Sequence, residues 1–381
     1  MSLILLAVFY VISPLLILHL CHKFPFVNKL GAVFVAYVVG LFVGNLGLLP
    51  EGSTKIQDII TSVTIPLAIP LLLFSASIKQ WASIAGKTIV SLLIGVFAVI
   101  LLVVIGFFIF KGGEMPELWK ISGMLVGVYT GGTPNLASLK MMLNVDSDTY
   151  ILTHTYDMLV STALLTFFIT IGKHFFRLFL PKYNDQNTGE VEYTNGSDPF
   201  WGIFKRGNLK PLFKAYTLSI LIFAVAGALS LFVNKDQQVV VVILVITTLS
   251  IFASTFPSVN RIDKTFESGM YLILIFSVVV ASMADISKFA GLAPGLFGYI
   301  TLTVFGSLLL QSIMARFLKV DADTTIITST ALVCSPPFVP VVAAAIGNKK
   351  VILSGITIGI IGYAMGNYLG YALAEILKAY Q

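Results

Sequence analysis

The chain has 381 residues, of which 57% are hydrophobic and 11% charged, and its mean hydropathy is +0.94. A soluble domain carries about 25% charged residues, so a soluble globule is excluded, and the wealth of Leu, Ile, Val and Phe excludes intrinsic disorder. The net charge of +6 is scattered between apolar runs, which speaks against a nucleic-acid partner and for loops facing anionic lipid.

A helix needs about 20 mostly apolar residues to cross about 30 Å of hydrocarbon. The chain divides into twelve such segments, at 2 to 20, 30 to 49, 57 to 78, 88 to 110, 117 to 143, 147 to 175, 214 to 233, 238 to 256, 266 to 283, 293 to 318, 322 to 346 and 351 to 378. None alternates with the period of a membrane strand, so the expected class is an all-α polytopic membrane protein. The first segment has no Lys or Arg before Lys23 and no A-x-A site after it, and it reads as a retained helix. Cys21 and Cys334 lie too far apart in apolar sequence to suggest a disulfide framework.

Segment five reads Gly127-Val-Tyr-Thr-Gly-Gly-Thr-Pro-Asn-Leu-Ala-Ser138. Proline removes a helix hydrogen bond and clashes with the preceding turn. Lipid offers the freed groups no partner, so a break here must lie against protein or water. Thr130, Gly131, Gly132, Thr133, Pro134 and Asn135 are therefore candidate ligand residues. Segment six carries Thr153-His-Thr-Tyr-Asp157 and then Ser161. A carboxylate inside a span is costly and must face a cavity, a partner or a bound cation. His154 precedes it by three residues on the same helix face. Na+ can take an Asp157 oxygen together with hydroxyl, amide and carbonyl oxygens, and a proton can ride on Asp157 or His154. Asp157, His154 and Thr153 are the candidate cation-coupling residues, with Asp157 the candidate Na+ ligand. The competing reading is a structural lock between Asp157 and His154.

The stretch from Lys182 to Lys210 is polar and splits the chain into halves. In the second half, segment eleven breaks harder than segment five, at Cys334-Ser-Pro-Pro-Phe-Val-Pro340, which adds Ser335, Pro336 and Pro337 to the ligand candidates. Segment twelve supplies Asn367 as the rough counterpart of Asp157. It stands among Gly359, Gly362, Gly366 and Gly370, whose spacing suits close helix packing.

The two halves echo one another. Ile69-Pro-Leu-Leu-Leu-Phe-Ser75 answers to Tyr271-Leu-Ile-Leu-Ile-Phe-Ser277, Ser77 to Gly86 answers to Ser282 to Gly291, and Gly131 to Asn135 falls opposite Cys334 to Phe338. The offset is about 203 residues, as expected of an internal duplication. Six segments per half imply parallel repeats, whereas inverted repeats need an odd number of crossings. The cations favour inversion: His22, Lys23, Lys29, Lys79 and Lys87 in the first half and Arg261, Lys264, Arg316 and Lys319 in the second fall on mismatched sides of a parallel model. The expected count is therefore twelve or thirteen spans. Broken helices at corresponding places in two halves mark a transporter's binding site, because half-helix ends aim backbone dipoles at a ligand.

Other signals fail. Ala85-Gly-Lys-Thr88 ends like a phosphate loop, but Trp81 stands where the first glycine belongs. Tyr156-Asp157 has no second acid to form a protease dyad, and no nucleophile elbow or HExxH is present. No enzyme is expected. Asp285, Lys79 and Lys140 read as residues at helix ends.

Gly-Gly-Thr-Pro-Asn-Leu-Ala-Ser at 131 to 138, paired with Cys-Ser-Pro-Pro-Phe-Val-Pro at 334 to 340, resembles the YjcL-like membrane proteins over essentially the whole chain. That family is grouped with the cation/proton antiporters, bile-acid/sodium symporters and glutamate/sodium symporters. The resemblance implies a panel or dimer domain and a core transport domain whose two broken helices cross at the substrate site. It also implies a homodimer in a bacterial cytoplasmic (inner) membrane. By that analogy residues 1–175 form the first repeat, with scaffold helices in 1–50 and core helices in 57–175. A polar linker follows at 176–213, and the second repeat spans 214–381, with scaffold helices in 214–256 and core helices in 266–378.

The chain departs from the antiporters in having one acid, preceded by Tyr156, where they use an Asp-Asp or Asn-Asp pair. Segment nine has no acid or lysine at the depth of Asp157. The expectation is a secondary active transporter, a Na+- or H+-coupled symporter of a small organic solute working by elevator-like alternating access. It would need no cofactor other than Na+. The alternatives are a monovalent cation/proton antiporter and, from another class, a non-transporting membrane binding or assembly protein.

Overall fold

The computed structural model describes residues 2–24, 27, 32–75, 86–113, 115, 117–183, 203, 206–284 and 293–381. Trp81, Lys79, Ala85, Lys29 and Asp285 lie outside the described residues, as does most of the expected echo between 77–86 and 282–291. Regular structure among the described residues is entirely helical.

In the first half the helices are α1 (Leu3–Lys23), α2 (Ala32–Asn45), α3 (Ser53–Phe74), α4 (Gly86–Phe110), α5 (Leu118–Gly131), α6 (Thr133–Met142) and α7 (Ser147–Arg177). The second half has α8 (Arg206–Ser230), α9 (Gln238–Ser254), α10 (Thr265–Met283), α11 (Pro294–Phe317), α12 (Ala322–Ser329), α13 (Val339–Ala345) and α14 (Ile352–Lys378). Eight helices among the described residues are long and apolar enough to cross a membrane. With the shorter α2 and α9 and the two broken segments, they account for the twelve segments expected.

Helical structure reaches into both ends of the linker expected at 176–213, since α7 runs to Arg177 and α8 begins at Arg206. Pro211 is tolerated so near a helix start, and Lys210 and Lys214 can lay their methylenes on the apolar surface while their ammonium groups reach water.

The chain divides into two compact units, each drawing three spans from each half. The first unit contains α1, α2, α3, α8, α9 and α10, together with residues 140–154. Its interior gathers Leu6, Tyr10, Ile17, Ala36, Leu274 and Val278. Because lipid tails are as apolar as leucine, association here depends on close backbone approach and hydrogen bonds. Both are present. A Cβ on Gly40 or Gly44 would overlap the α10 backbone carbonyl of Val278 or Ser282. The Tyr10 hydroxyl meets Ser282 Oγ at 2.7 Å, and Gln57 Nε2 donates to both at 3.0 and 2.9 Å. Such bonds contribute about 0.6 kcal/mol each in a bilayer.

The second unit contains α4, most of α5 and α6, the remainder of α7, and α11 to α14. Here α11 packs on α4, and α14 packs on α5. The Tyr299 hydroxyl of α11 ties α5 to α4, meeting Ser122 Oγ at 2.8 Å and donating to the Val103 carbonyl at 2.9 Å. Large apolar side chains such as Phe232, Phe317, Leu178 and Ile4 are exposed, as expected for surfaces whose solvent is hydrocarbon.

Candidate functional site

The second unit holds both helix breaks, and it brings them together. α5 stops at Gly131, Gly132 takes φ 90° and ψ −166°, and α6 starts at Thr133. In the other half α12 widens into a π-turn over Thr330–Cys334, Ser335 takes φ 87° and ψ 153°, and a tight turn over Pro336–Phe338 leads into α13. Pro336 and Pro337 have no N–H to offer the carbonyls of Leu332 and Val333, so an α-helix cannot continue through them.

Gly132 and Ser335 hold equivalent places under the 203-residue offset, and both adopt a backbone region that is essentially glycine's alone. A side chain held there costs about 1–3 kcal/mol, which Ser335 bears. The two residues also touch: a Cβ added to Gly132 would overlap Ser335 Oγ.

α14 is the platform for both breaks. Its small-residue stripe lets Gly362 sit against the Thr130 carbonyl, Gly366 against the Asn135 and Thr130 side chains, and Gly359 against Pro336. Asn135 Nδ2 donates to the Gly362 carbonyl at 3.0 Å, and Thr130 Oγ1 donates back to Val126 at 2.7 Å. Thr133 and Ser335 are half-buried and Pro337 is exposed, while Gly131, Gly132, Pro134 and Pro336 are buried. Asn367, one residue beyond Gly366, is 1% exposed, and its side-chain carbonyl oxygen has no hydrogen-bond partner among the described residues.

Asp157 belongs to this unit and is 5% exposed. Ser161 Oγ donates to its Oδ1 at 3.0 Å, and the Tyr129 hydroxyl and the Cys334 thiol face it from the two broken segments. Cys334 Sγ in turn reaches the Ser161 carbonyl at 3.7 Å. Thr153 and His154, although on the same helix as Asp157, fall in the first unit. There the His154 ring lies 4.7 Å from Tyr37 and 6.2 Å from Tyr150, whose hydroxyls meet at 2.9 Å.

Several contributors escaped the sequence reading. Tyr129 precedes Thr130 in the break motif and, as an aromatic in an apolar span, carries no mark of its own in the sequence. A brace at the ends of the second broken segment was also missed. Asp323, 2% exposed, accepts from Arg177 at 3.3 Å and from Asn348 at 3.0 Å. Lys173 donates to the Ile346 carbonyl at the end of α13, and Asp321 caps α12 through Thr324 N at 2.8 Å. The pair of acids opening segment eleven was the available signal. Among the described residues no three His, Cys, Asp or Glu side chains gather as a metal site.

Fold and site together define a polytopic helical membrane protein in which two broken helices meet beside a buried carboxylate. Residues 7–380 match the family model described as "Protein of unknown function (DUF819)", and the chain belongs to that family. It is 24% identical over 363 residues to "Uncharacterized membrane protein YjcL" of Bacillus subtilis (strain 168), a match covering 92% of this chain and 90% of the relative. The resemblance read from the two break motifs is thus borne out, and the chain is an integral membrane protein.

Proposed function

We propose that the protein is a secondary active transporter, a Na+- or H+-coupled symporter of a small organic solute. The observation that carries this reading is the contact between Gly132 and Ser335 beside Asp157: two half-broken helices meeting at a carboxylate make a polar site inside apolar surroundings. Lipid would not tolerate that arrangement without a use for it. The matching backbone at the two breaks supports an internal duplication, which this reading takes as inverted. In this reading the second unit carries the ligand by an elevator-like movement, the first unit is the scaffold, and two copies pair in the membrane as a homodimer. A cation at Asp157 neutralises the carboxylate, so the loaded unit crosses the apolar barrier at lower cost. A hydrogen bond from Ser161 orients the acid, with the Tyr129 hydroxyl facing it, and Thr130, Thr133, Asn135, Ser335 and Asn367 offer the polar contacts for solute.

The test is uptake of radioactive Na+ into vesicles containing purified protein. Solute-stimulated uptake that Asp157→Asn lowers at least tenfold, with the variant still folded, is the expected outcome. Uptake driven by a pH gradient without any solute would select the cation/proton antiporter. Absence of Na+ or H+ flux under every gradient would sink the transporter reading and leave a binding or assembly protein.

A further inference from the structure

The prolines at the crossing set its electrical sign. A helix start attracts anions through the free N–H groups of its first turn, and a helix end attracts cations through its free carbonyls. Here the two helix starts are stripped of donors. In the second break, residues 336 and 337 are proline, and the amide of Phe338 is already given to the Ser335 carbonyl at 3.2 Å. In the first, Pro134 has no N–H, and the Asn135 amide donates to the Gly132 carbonyl at 3.1 Å. Thr133 supplies the remaining first-turn amide.

The same prolines act in the opposite sense on the helix ends. The carbonyls of Leu332 and Val333 would each bond to the amide four residues on, and those positions are Pro336 and Pro337; the Thr130 carbonyl, freed in the same way by Pro134, is covered by Gly362. Donors are removed and acceptors are freed by one set of residues. Two further features share that sign. The buried Asn367 atom without a partner is an acceptor oxygen. No Lys or Arg occurs in residues 121–139, 155–172, 322–348 or 352–377, the central parts of the spans that form the crossing and its platform, whereas Asp157 lies within them; the cations of these helices stand at their ends.

We infer that the crossing takes a positively charged group, either an alkali cation or the ammonium head of an organic solute, and rejects carboxylates and phosphates. The inference rests on the crossing being the ligand site, but not on transport. A carboxylate placed there would meet one amide and several carbonyl oxygens, and water held outside would not repay its desolvation. An ammonium group or a partly dehydrated alkali ion would meet the freed carbonyls beside Asp157.

The experiment is thermal unfolding of the purified full chain at fixed ionic strength. In one arm NaCl and KCl replace tetraethylammonium chloride, a bulky cation with no N–H to donate. In the second, ethylammonium chloride replaces it. In the third, tetraethylammonium acetate and phosphate replace the chloride salt. A ligand of the folded state raises the melting temperature, by about 3 °C when well above its Kd. Such a rise is expected in the first or second arm, which tells the alkali ion from the ammonium, with none in the third. Pro337→Ala, at an exposed position, restores one amide and should at least halve the cation shift. A rise with acetate or phosphate, no rise with any cation, or an undiminished cation shift in a folded Pro337→Ala protein would each overturn the inference. Cation shifts in a protein that moves no ion across vesicles would instead count against the transporter reading alone.

Discussion

Ser335 and Gly132 concentrate the local cost of the crossing. Ser335 stands at φ 87°, where a β-carbon is strained, so Ser335→Gly should stabilise the folded protein by about 1 kcal/mol, after allowing for glycine's greater freedom when unfolded. The same variant should lose ligand-induced stabilisation, because the hydroxyl is the side chain facing the opposite break. Gly132→Ala brings both strain and overlap with Ser335 Oγ and should cost about 2–4 kcal/mol. Combining the two should recover the part due to overlap but not the part due to φ 90°. Chemical unfolding of the two single variants and the double variant measures this coupling. Strict additivity would mean that the two breaks do not touch in solution.

α7 shows how one element serves two surroundings. Asp146 starts it, accepting from the Thr149 amide at 2.8 Å. Burial raises the Asp146 carboxyl, but hydrogen bonds from the backbone and side chain of Thr149 outweigh that, and its pKa lies below the ordinary value. The sign follows: the ionised cap contributes its full stabilisation above the unfolded pKa of about 4, and loses it as pH falls through the lower folded value. Asp146→Ala should therefore cost about 1 kcal/mol near neutral pH, with the deficit vanishing in acid. A pH series of unfolding midpoints for both proteins tests this, and a difference independent of pH would show that the carboxylate is not the cap. Further along α7, Thr153 and His154 pack with the first unit and Asp157 with the second.

At the scale of the molecule, neither half of the sequence owns a core. α10 packs on α2 and α3 in the first unit, and α14 packs on α5 and α11 on α4 in the second. Each of these pairs joins one half to the other. A chain cut within residues 184–202 should yield two fragments that are each unstable when expressed alone, and that form a folded complex when expressed together. Size-exclusion profiles of single and joint expression give the answer. A stable, monodisperse fragment of either half would mean that a half folds on its own.

Hydropathy by itself located the helices, because a backbone in hydrocarbon must satisfy its own hydrogen bonds and announces each span as an apolar run. Proline and glycine in mid-span announced the breaks at 131–135 and 334–337, since proline has no N–H to give. A lone acid in an apolar run announced Asp157. What the sequence left open was association across long separations. That Gly132 meets Ser335, that Tyr129 and Cys334 face Asp157, and that Arg177 braces Asp323 depend on which helix faces lie against each other. Apolar spans of similar composition encode those choices only weakly, because lipid and protein interior are equally apolar to a leucine. Small residues and close packing decide them, and those act only once the helices are assembled.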